Sequence, residues 1–161
     1  MQARNPELKL IIGLGNPNKR YANTYHNAGR LFIDYAAERG DVSVKLVKSI
    51  GYMNESGVFV KKTLKKYNAK PEELMIVQDD SDIYLGNYKL SFGRGAAGHH
   101  GVENIQATLK TKNFWRLRIG IRPPNEKLRQ KSEKFVLKKI TAADKKILEE
   151  VFKKASSEIN N

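Results

Sequence analysis

Apolar and polar positions along the chain predict strands and helices in alternation. A mostly apolar run over residues 8–14 leads into a Gly-Leu-Gly-Asn-Pro loop, which is typical of a buried strand followed by a tight turn. Apolar side chains then recur at spacings of three and four residues, so we expect a helix from about Asn27 to Arg39, ended by Gly40. A β-rich stretch over 42–47 follows, and then a helix over about 57–67 with its apolar residues inward and its lysines outward.

The second half of the chain continues this alternation. The short apolar run over 74–77 predicts a central strand that ends in an acidic turn over 78–82. Residues 88–92 predict another strand, and residues 115–122 give the clearest strand signal, because apolar side chains alternate strictly with three arginines and a glycine. That alternation predicts one face in the core and one face carrying arginines. Thr141 is expected to cap a terminal helix.

Strands and helices in alternation are the pattern of an α/β fold. We expect a single three-layer α/β/α domain over residues 1–161, with helices on both faces of a twisted, mixed central sheet. The length suits one domain, and no internal repeat, low-complexity tract or linker divides the chain.

The charge balance favours a polyanionic partner. The 161 residues include 30 Lys+Arg and 17 Asp+Glu, which gives a net charge of +13 at pH 7. The excess is largest over residues 101–161, which carry 15 basic and 7 acidic side chains. Nucleic acid is therefore the leading partner class, against the alternative of a merely soluble basic surface.

Missing residue types and missing apolar runs exclude several classes of protein. The chain has no cysteine, which excludes disulfides, a cysteine nucleophile and thiolate metal sites. No apolar run approaches the roughly 20 residues of a membrane-spanning helix, and residues 1–6 lack the apolar stretch of a signal peptide. We therefore expect a cytoplasmic protein without membrane contact.

Polar residues with catalytic potential follow the predicted strands, at the sheet edge where open α/β proteins bind ligands. A histidine base oriented by a carboxylate would activate a nucleophile, and water is favoured because no Gly-x-Ser-x-Gly motif is present. Plainer interpretations stay open, with His26 as a structural histidine and Asp79-Asp80 as a solvated turn. The candidates are Asn16, His26 with Asn27, Asn54, Asp79, and His99 with His100 at the end of a small-residue loop that opens a helix.

Two cofactor interpretations are weak. Gly13-Leu14-Gly15 after a strand imitates a dinucleotide fingerprint, but Pro17 intrudes and Asn18 stands where the third glycine belongs. His99 and His100 are adjacent at a helix start and should point in different directions, which disfavours a metal site. We expect neither a cofactor nor a metal.

Six short motifs stand in order along the chain, and as a set they are highly specific. Together they resemble bacterial-type peptidyl-tRNA hydrolases from near the start of the chain to about Leu137. The motifs are Gly13-Leu14-Gly15-Asn16-Pro17 with Tyr21, Thr24-Tyr25-His26-Asn27-Ala28-Gly29, Met53-Asn54-Glu55-Ser56-Gly57, Asp79-Asp80-Ser81-Asp82 with Gly86, Gly98-His99-His100-Gly101, and the strand from Phe114 to Pro123.

The resemblance implies a monomeric cytoplasmic hydrolase that cuts the ester between a peptide and tRNA and recycles tRNA from stalled translation, without metal or cofactor. It makes His26 the base that activates water and Asp79 the carboxylate that holds the imidazole. Asn16 and Asn54 would bind the peptide backbone and the 3′ end and help to stabilise the oxyanion. The remaining implied substrate contacts are Tyr21, Met53, His99 and His100.

The implied tRNA contacts lie near the arginine-rich strand. Arg118 stands where the family holds the 5′-phosphate of the acceptor stem. Arg116, Lys89 or Arg94 would assist it.

Three features depart from the family pattern. His100 stands where the family has asparagine, and an imidazole cannot donate and accept simultaneously with the geometry of an amide. Ser91 stands at the position of the family's clamp lysine, so Lys89 or Arg94 would have to replace that charge. The stretch from Gly40 to Met53 is shorter than usual, which would open one wall of the cleft.

The main alternative is an inactive RNA-binding protein of the same fold, as in chloroplast splicing factors similar to this family. It would account for the charge and for His100. RNA binding needs none of the set Asn16, His26, Asn54 and Asp79, so the alternative leaves their joint presence without a reason. Turnover, as opposed to binding, separates the two functions.

Overall fold

Five strands form a sheet with helices on both faces in the computed structural model, which describes residues 7–40, 42–125 and 135–160. Residues 1–6, for which the sequence predicts no signal peptide, lie outside this range. The strands are β1 (Leu10–Gly13), β2 (Lys45–Lys48), β3 (Leu74–Tyr84), β4 (Tyr88–Phe92) and β5 (Trp115–Arg122). The α-helices of the described ranges are α1 (Ala28–Arg39), α2 (Ser56–Lys66), α3 (His100–Leu109) and α4 (Ala142–Asn160).

The strand order is β2-β1-β3-β5-β4. The first four of these strands are parallel to their neighbours, whereas β4 runs antiparallel to β5. This arrangement confirms the predicted α/β fold with a mixed sheet.

Each face of the sheet has its own hydrophobic core. On one face α1 and α4 pack together, with Phe32 and Phe152 meeting edge to face. On the other face α2 and α3 contribute Val60 and Ile105. Because β1 and the first half of β3 are covered on both faces, their sequences are continuous apolar runs.

Two glycines let α1 begin directly on the sheet. A side-chain carbon at Gly13 would collide with the carbonyl oxygen of Gly29, and one at Gly29 would collide with that of Val77. The backbones of α1, β1 and β3 are thus in contact at these positions, which any side chain would separate. The residues that precede α1 are thereby placed beside those that follow Val77 in β3.

The outermost strand on one side of the described sheet is β2, which pairs only with β1. Its two middle residues are half-buried, and its ends are the exposed lysines Lys45 and Lys48. The Lys48 ammonium lies 2.9 Å from Oδ1 of Asp34 on α1, and the Lys45 ammonium lies over the ring of Tyr67.

The predicted acidic turn over 78–82 is wrong, because β3 runs on to Tyr84 and its residues 78–80 pair with residues 118–120 of β5. Asp79 and Asp80 can be buried in this strand because side chains distant in sequence bind them. His26 and His99 bind Asp79, and Arg118 binds Asp80.

The other predicted elements agree with the structure to within a few residues. Gly40 ends α1 in the left-handed conformation, with φ at 64°. The amide of Asp144 donates to Oγ1 of Thr141 at 3.1 Å, so Thr141 caps α4 as predicted. None of the described helices is long and apolar enough to cross a membrane.

Candidate active site

Three polar side chains meet just beyond the carboxyl end of β1, beside the middle of β3. His26 lies in a 3-10 turn (Tyr25–Asn27) immediately before α1, and its backbone N–H donates to the Val136 carbonyl at 2.8 Å. Asp79 lies within β3 and is 2% exposed. His99 is the residue that caps the start of α3. The sequence thus brings three distant segments to one point.

His26 and Asp79 form a hydrogen-bonded pair. Nδ1 of His26 lies 2.9 Å from Oδ2 of Asp79, so in the neutral imidazole Nδ1 carries the proton and donates it to the carboxylate. The other ring nitrogen, Nε2, is then the basic one. With the His26 side chain 20% exposed, this base borders solvent while its partner is buried.

Asp79 also binds His99. Nε2 of His99 lies 3.0 Å from the second carboxylate oxygen, Oδ1, and Nδ1 of the same ring accepts from the backbone N–H of Val102 at 3.2 Å. Both ring nitrogens of His99 therefore have protein partners. The resemblance implies that His99 contacts the peptide, and a hydrogen bond from this ring to a peptide would require one of these two bonds to break.

Burial and charge act in opposite directions on this pair. Burial by itself raises the pKa of Asp79, but the charge of protonated His26 and the hydrogen bonds from His26 and His99 outweigh it and hold that pKa well below its usual range. Burial likewise favours the neutral imidazole of His26, but the charge of Asp79 and its hydrogen bond raise the pKa of His26 above its ordinary value. Asp79 is thus ionised, and its charge makes the imidazole of His26 more basic.

The loop after β1 is held by a residue that the sequence flagged only as a neighbour of His26. The buried amide of Asn27 accepts from the backbone N–H of Asn16 at 2.7 Å and donates to the Asn16 carbonyl at 2.9 Å. Oδ1 of Asn16 accepts from the backbone N–H of Asn18 at 3.0 Å. The side-chain oxygen of Asn16 thus already has a protein partner, and the amide nitrogen Nδ2 is the atom that can donate to a substrate.

Two loops bring further predicted residues to this edge of the sheet. Met53 and the exposed Asn54 lie in a 3-10 turn before α2, and the Met53 sulfur occupies the space that a side chain at Gly101 would need, beside His99. Tyr21 is half-buried in a 3-10 turn of the segment that joins β1 to His26.

A cavity of about 310 Å³ opens beside the paired side chains. Its walls are residues 78–82 of β3, residues 96–100 and Val136, together with His26. His100 lies at this cavity with its side chain 74% exposed, 3.9 Å from a carboxylate oxygen of Glu103. His100 therefore lines the cavity and faces solvent.

The arginines of β5 differ in their surroundings. Nε of Arg118 donates to Oδ2 of Asp80 at 2.8 Å, its side chain is 18% exposed, and the exposed Lys89 on β4 lies opposite it in register. Arg94 is exposed in the loop that precedes His99. Asp80, the partner of Arg118, lines the cavity, and the side chains of Lys89 and Arg94 are exposed.

Arg116 is instead buried, with 2% of its surface exposed. Its guanidinium donates to Oε1 of Gln78 at 3.0 Å and to the Gly95 carbonyl at 2.6 Å. Burial, reinforced by the nearby Arg118, lowers its pKa to about 10. The expectation that Arg116 assists at a tRNA phosphate does not fit this environment, because the residue is buried and its guanidinium is bound to Gln78 and Gly95.

His26, Asp79 and His99 each offer an atom that could bind a metal ion, within 4.8 Å of one another. These atoms already form the two hydrogen bonds to Asp79, and an ion would have to displace both. We therefore interpret the three side chains as one carboxylate shared by two imidazoles, and not as a metal site. The arrangement suits hydrolysis, because an imidazole with a free basic nitrogen, an orienting carboxylate and amide donors are what a water-dependent ester cleavage needs.

Proteins similar to this chain in sequence and in structure agree with this interpretation. The family described as peptidyl-tRNA hydrolase matches residues 10–161. The peptidyl-tRNA hydrolase of Aquifex aeolicus is 38% identical over 92% of this chain and 86% of its own, and that of Sulfurihydrogenibium sp. is 37% identical over 96% and 90%. The crystal structure of peptidyl-tRNA hydrolase from Acinetobacter baumannii superimposes with a TM-score of 0.83 at 31% identity, covering 99% of this chain and 90% of that one. The chain therefore belongs to the peptidyl-tRNA hydrolase family of enzymes.

Proposed function

We propose that this chain hydrolyses the ester that joins a peptide, or an N-blocked amino acid, to the 3′ end of tRNA, and that it thereby recycles tRNA from stalled translation in the cytoplasm. The observation that supports it most strongly is the His26–Asp79 hydrogen bond, which leaves Nε2 of His26 basic beside an open cavity.

The proposed reaction needs one water and no other co-reactant. Nε2 of His26 takes a proton from water as the water oxygen attacks the ester carbonyl. The bond from that carbonyl to the ribose oxygen then breaks, and the proton passes to the departing oxygen. The products are a peptide with a free carboxylate and a tRNA with a free terminal hydroxyl.

Amide groups would stabilise the oxyanion. Nδ2 of Asn16 and the side chain of Asn54 are the proposed donors, and one such donor typically contributes about 3 kcal/mol to the transition state. Tyr21, Met53 and His100 are proposed to border the bound end of the substrate.

The acceptor stem is proposed to lie against Arg118, Lys89 and Arg94. Arg118 is preoriented by Asp80, and Lys89 adds a second cation opposite it. Ser91 lies opposite the buried Arg116, so the pair of cations available to a phosphate is Arg118 with Lys89.

The decisive experiment compares release of N-acetylated amino acid from tRNA by the parent protein and by His26→Ala. We expect the parent to cleave the blocked substrate and spare free aminoacyl-tRNA, and the variant to bind tRNA with the parent affinity but release nothing. Tight tRNA binding by the parent without release would instead assign the chain to the inactive RNA-binding class.

A further inference from the structure

Asp79 is shared by two imidazoles, and only one of them keeps a nitrogen free for chemistry. His26 takes Oδ2 and His99 takes Oδ1, at 2.9 and 3.0 Å. We propose that His99 is a positioning residue. Its hydrogen bond to Oδ1 fixes the orientation of the Asp79 carboxylate towards His26 and weakens the attraction of that carboxylate for a proton on His26. The proposal rests on the proposed function, in which His26 is the base.

The backbone sets the tautomer of His99. The amide of Val102 can only donate, so Nδ1 of His99 must offer a lone pair to it, and the ring proton is then on Nε2. Nε2 consequently donates to Oδ1 of Asp79. The neutral ring in this one tautomer makes both bonds, and a ring flip would break both.

His99 is held in this position by more than its own hydrogen bonds. Its side chain is 8% exposed, and Met53 covers the neighbouring Gly101. The loop that leads to it is tied down at two carbonyls, since Arg116 donates to Gly95 and Nε2 of Gln106 donates to Arg94. The loop therefore delivers His99 to Asp79 as a fixed donor.

Sharing the carboxylate has a direct consequence for the base. A hydrogen bond to Oδ1 stabilises the charge of Asp79 independently of His26, so the carboxylate pulls less strongly on a proton of His26. The other ionisable groups that line the same cavity are Asp80, which is bound to Arg118, together with Asp82 and His100. A substitution of His99 removes none of these groups.

Two substitutions separate the contact with Asp79 from the helix cap. His99→Asn keeps a side chain that can accept from the first turn of α3, but it is too short to reach Asp79. His99→Gln is long enough to donate to Asp79, but it is a poor cap. Thermal unfolding of both proteins reports the effect on the cap.

The experiment measures kcat/KM for N-acetylaminoacyl-tRNA against pH and follows the His26 ring by NMR over the same range. In His99→Asn we expect the acid limb and the NMR midpoint of His26 to move up by about one pH unit, because Asp79 then holds the His26 proton more tightly. In His99→Gln we expect both to stay near the parent values.

Coincident midpoints for the parent and His99→Asn would overturn the proposal. Equal shifts in His99→Asn and His99→Gln would also overturn it, since the effect would then follow the loss of the imidazole and not of the bond to Asp79. The NMR titration requires no turnover, so a protein that fails to hydrolyse its substrate still tests the sharing of Asp79 separately from the proposed function.

Discussion

Two charged regions of the molecule are built on different principles. In the cluster formed by His26, Asp79 and His99, the carboxylate is 2% exposed and both its oxygens accept from the protein. In the pair formed by Arg118 and Lys89, the arginine binds Asp80 and is partly exposed, and the lysine is exposed. In the proposed function, the first region fixes atoms for a reaction, whereas the second presents charge to a partner. A charged residue's role here follows from how many of its polar atoms the protein already uses.

The largest expected effect is in the buried cluster. Asp79→Asn can accept from only one of the two histidines, and its amide would donate to the other, so His26 is forced towards the wrong tautomer. We expect kcat to fall on the order of 10³–10⁴-fold, with tRNA affinity retained. Single-turnover hydrolysis and a tRNA-binding assay measure the two quantities, with the exposed Asp34→Asn on α1 as the matched control. A loss of tRNA binding equal to the loss of rate would contradict the division between the regions.

A middle-sized effect is expected in the exposed pair. Arg118→Gln and Lys89→Gln each remove one phosphate contact, so Kd for tRNA should rise about tenfold and the slope of log affinity against log salt should fall by about one. The control Lys61→Gln removes the same charge from the exposed surface of α2. If the control changes the salt slope as much as the two test variants do, the effect belongs to net charge and not to this pair.

The last prediction, which is the most discriminating, concerns two arginines of β5, Arg116 and Arg118. Arg116→Lys keeps the charge but cannot bind Gln78 and Gly95 together, so the loop before His99 should loosen. We expect kcat to fall about tenfold and stability by about 1–3 kcal/mol, with an unchanged Kd for tRNA. Arg118→Lys should leave kcat near the parent value. A rise in Kd for tRNA in Arg116→Lys would return Arg116 to the phosphate contacts, against its burial.

The sequence predicts the parts of this fold that depend on local periodicity. The strict alternation over 115–122 is β5, and the spacing before Gly40 is α1. The same alternation predicts one face of β5 that carries arginines, but it does not predict that Arg116 is buried on that face and bound to Gln78 and Gly95. Coverage of a strand depends on segments far away in the chain, and a local pattern does not contain it.

The candidate site is predictable to a similar depth. The motifs select His26, Asp79 and Asn16 as a group, but they do not show that Asp79 lies inside a strand or that His99 is bound at both nitrogens. Adjacent acidic residues favour a turn unless partners neutralise them. For Asp79 those partners are an imidazole 53 positions earlier and another 20 positions later, and for Asp80 the partner is Arg118, 38 positions later. Asn27 had a signal in its adjacency to His26, although its grip on Asn16 required the loop geometry.

The exposed edge of β2 bears on whether copies of this chain would join through their sheets. An outermost strand offers unpaired backbone groups to any extended segment, including β2 of a second molecule. In this strand only four residues are available, and a lysine stands at each end. A second copy aligned in parallel would place like charges side by side, and one aligned antiparallel would place the two lysines of each strand against those of the other. The short strand with a lysine at each end thus opposes aggregation through this edge.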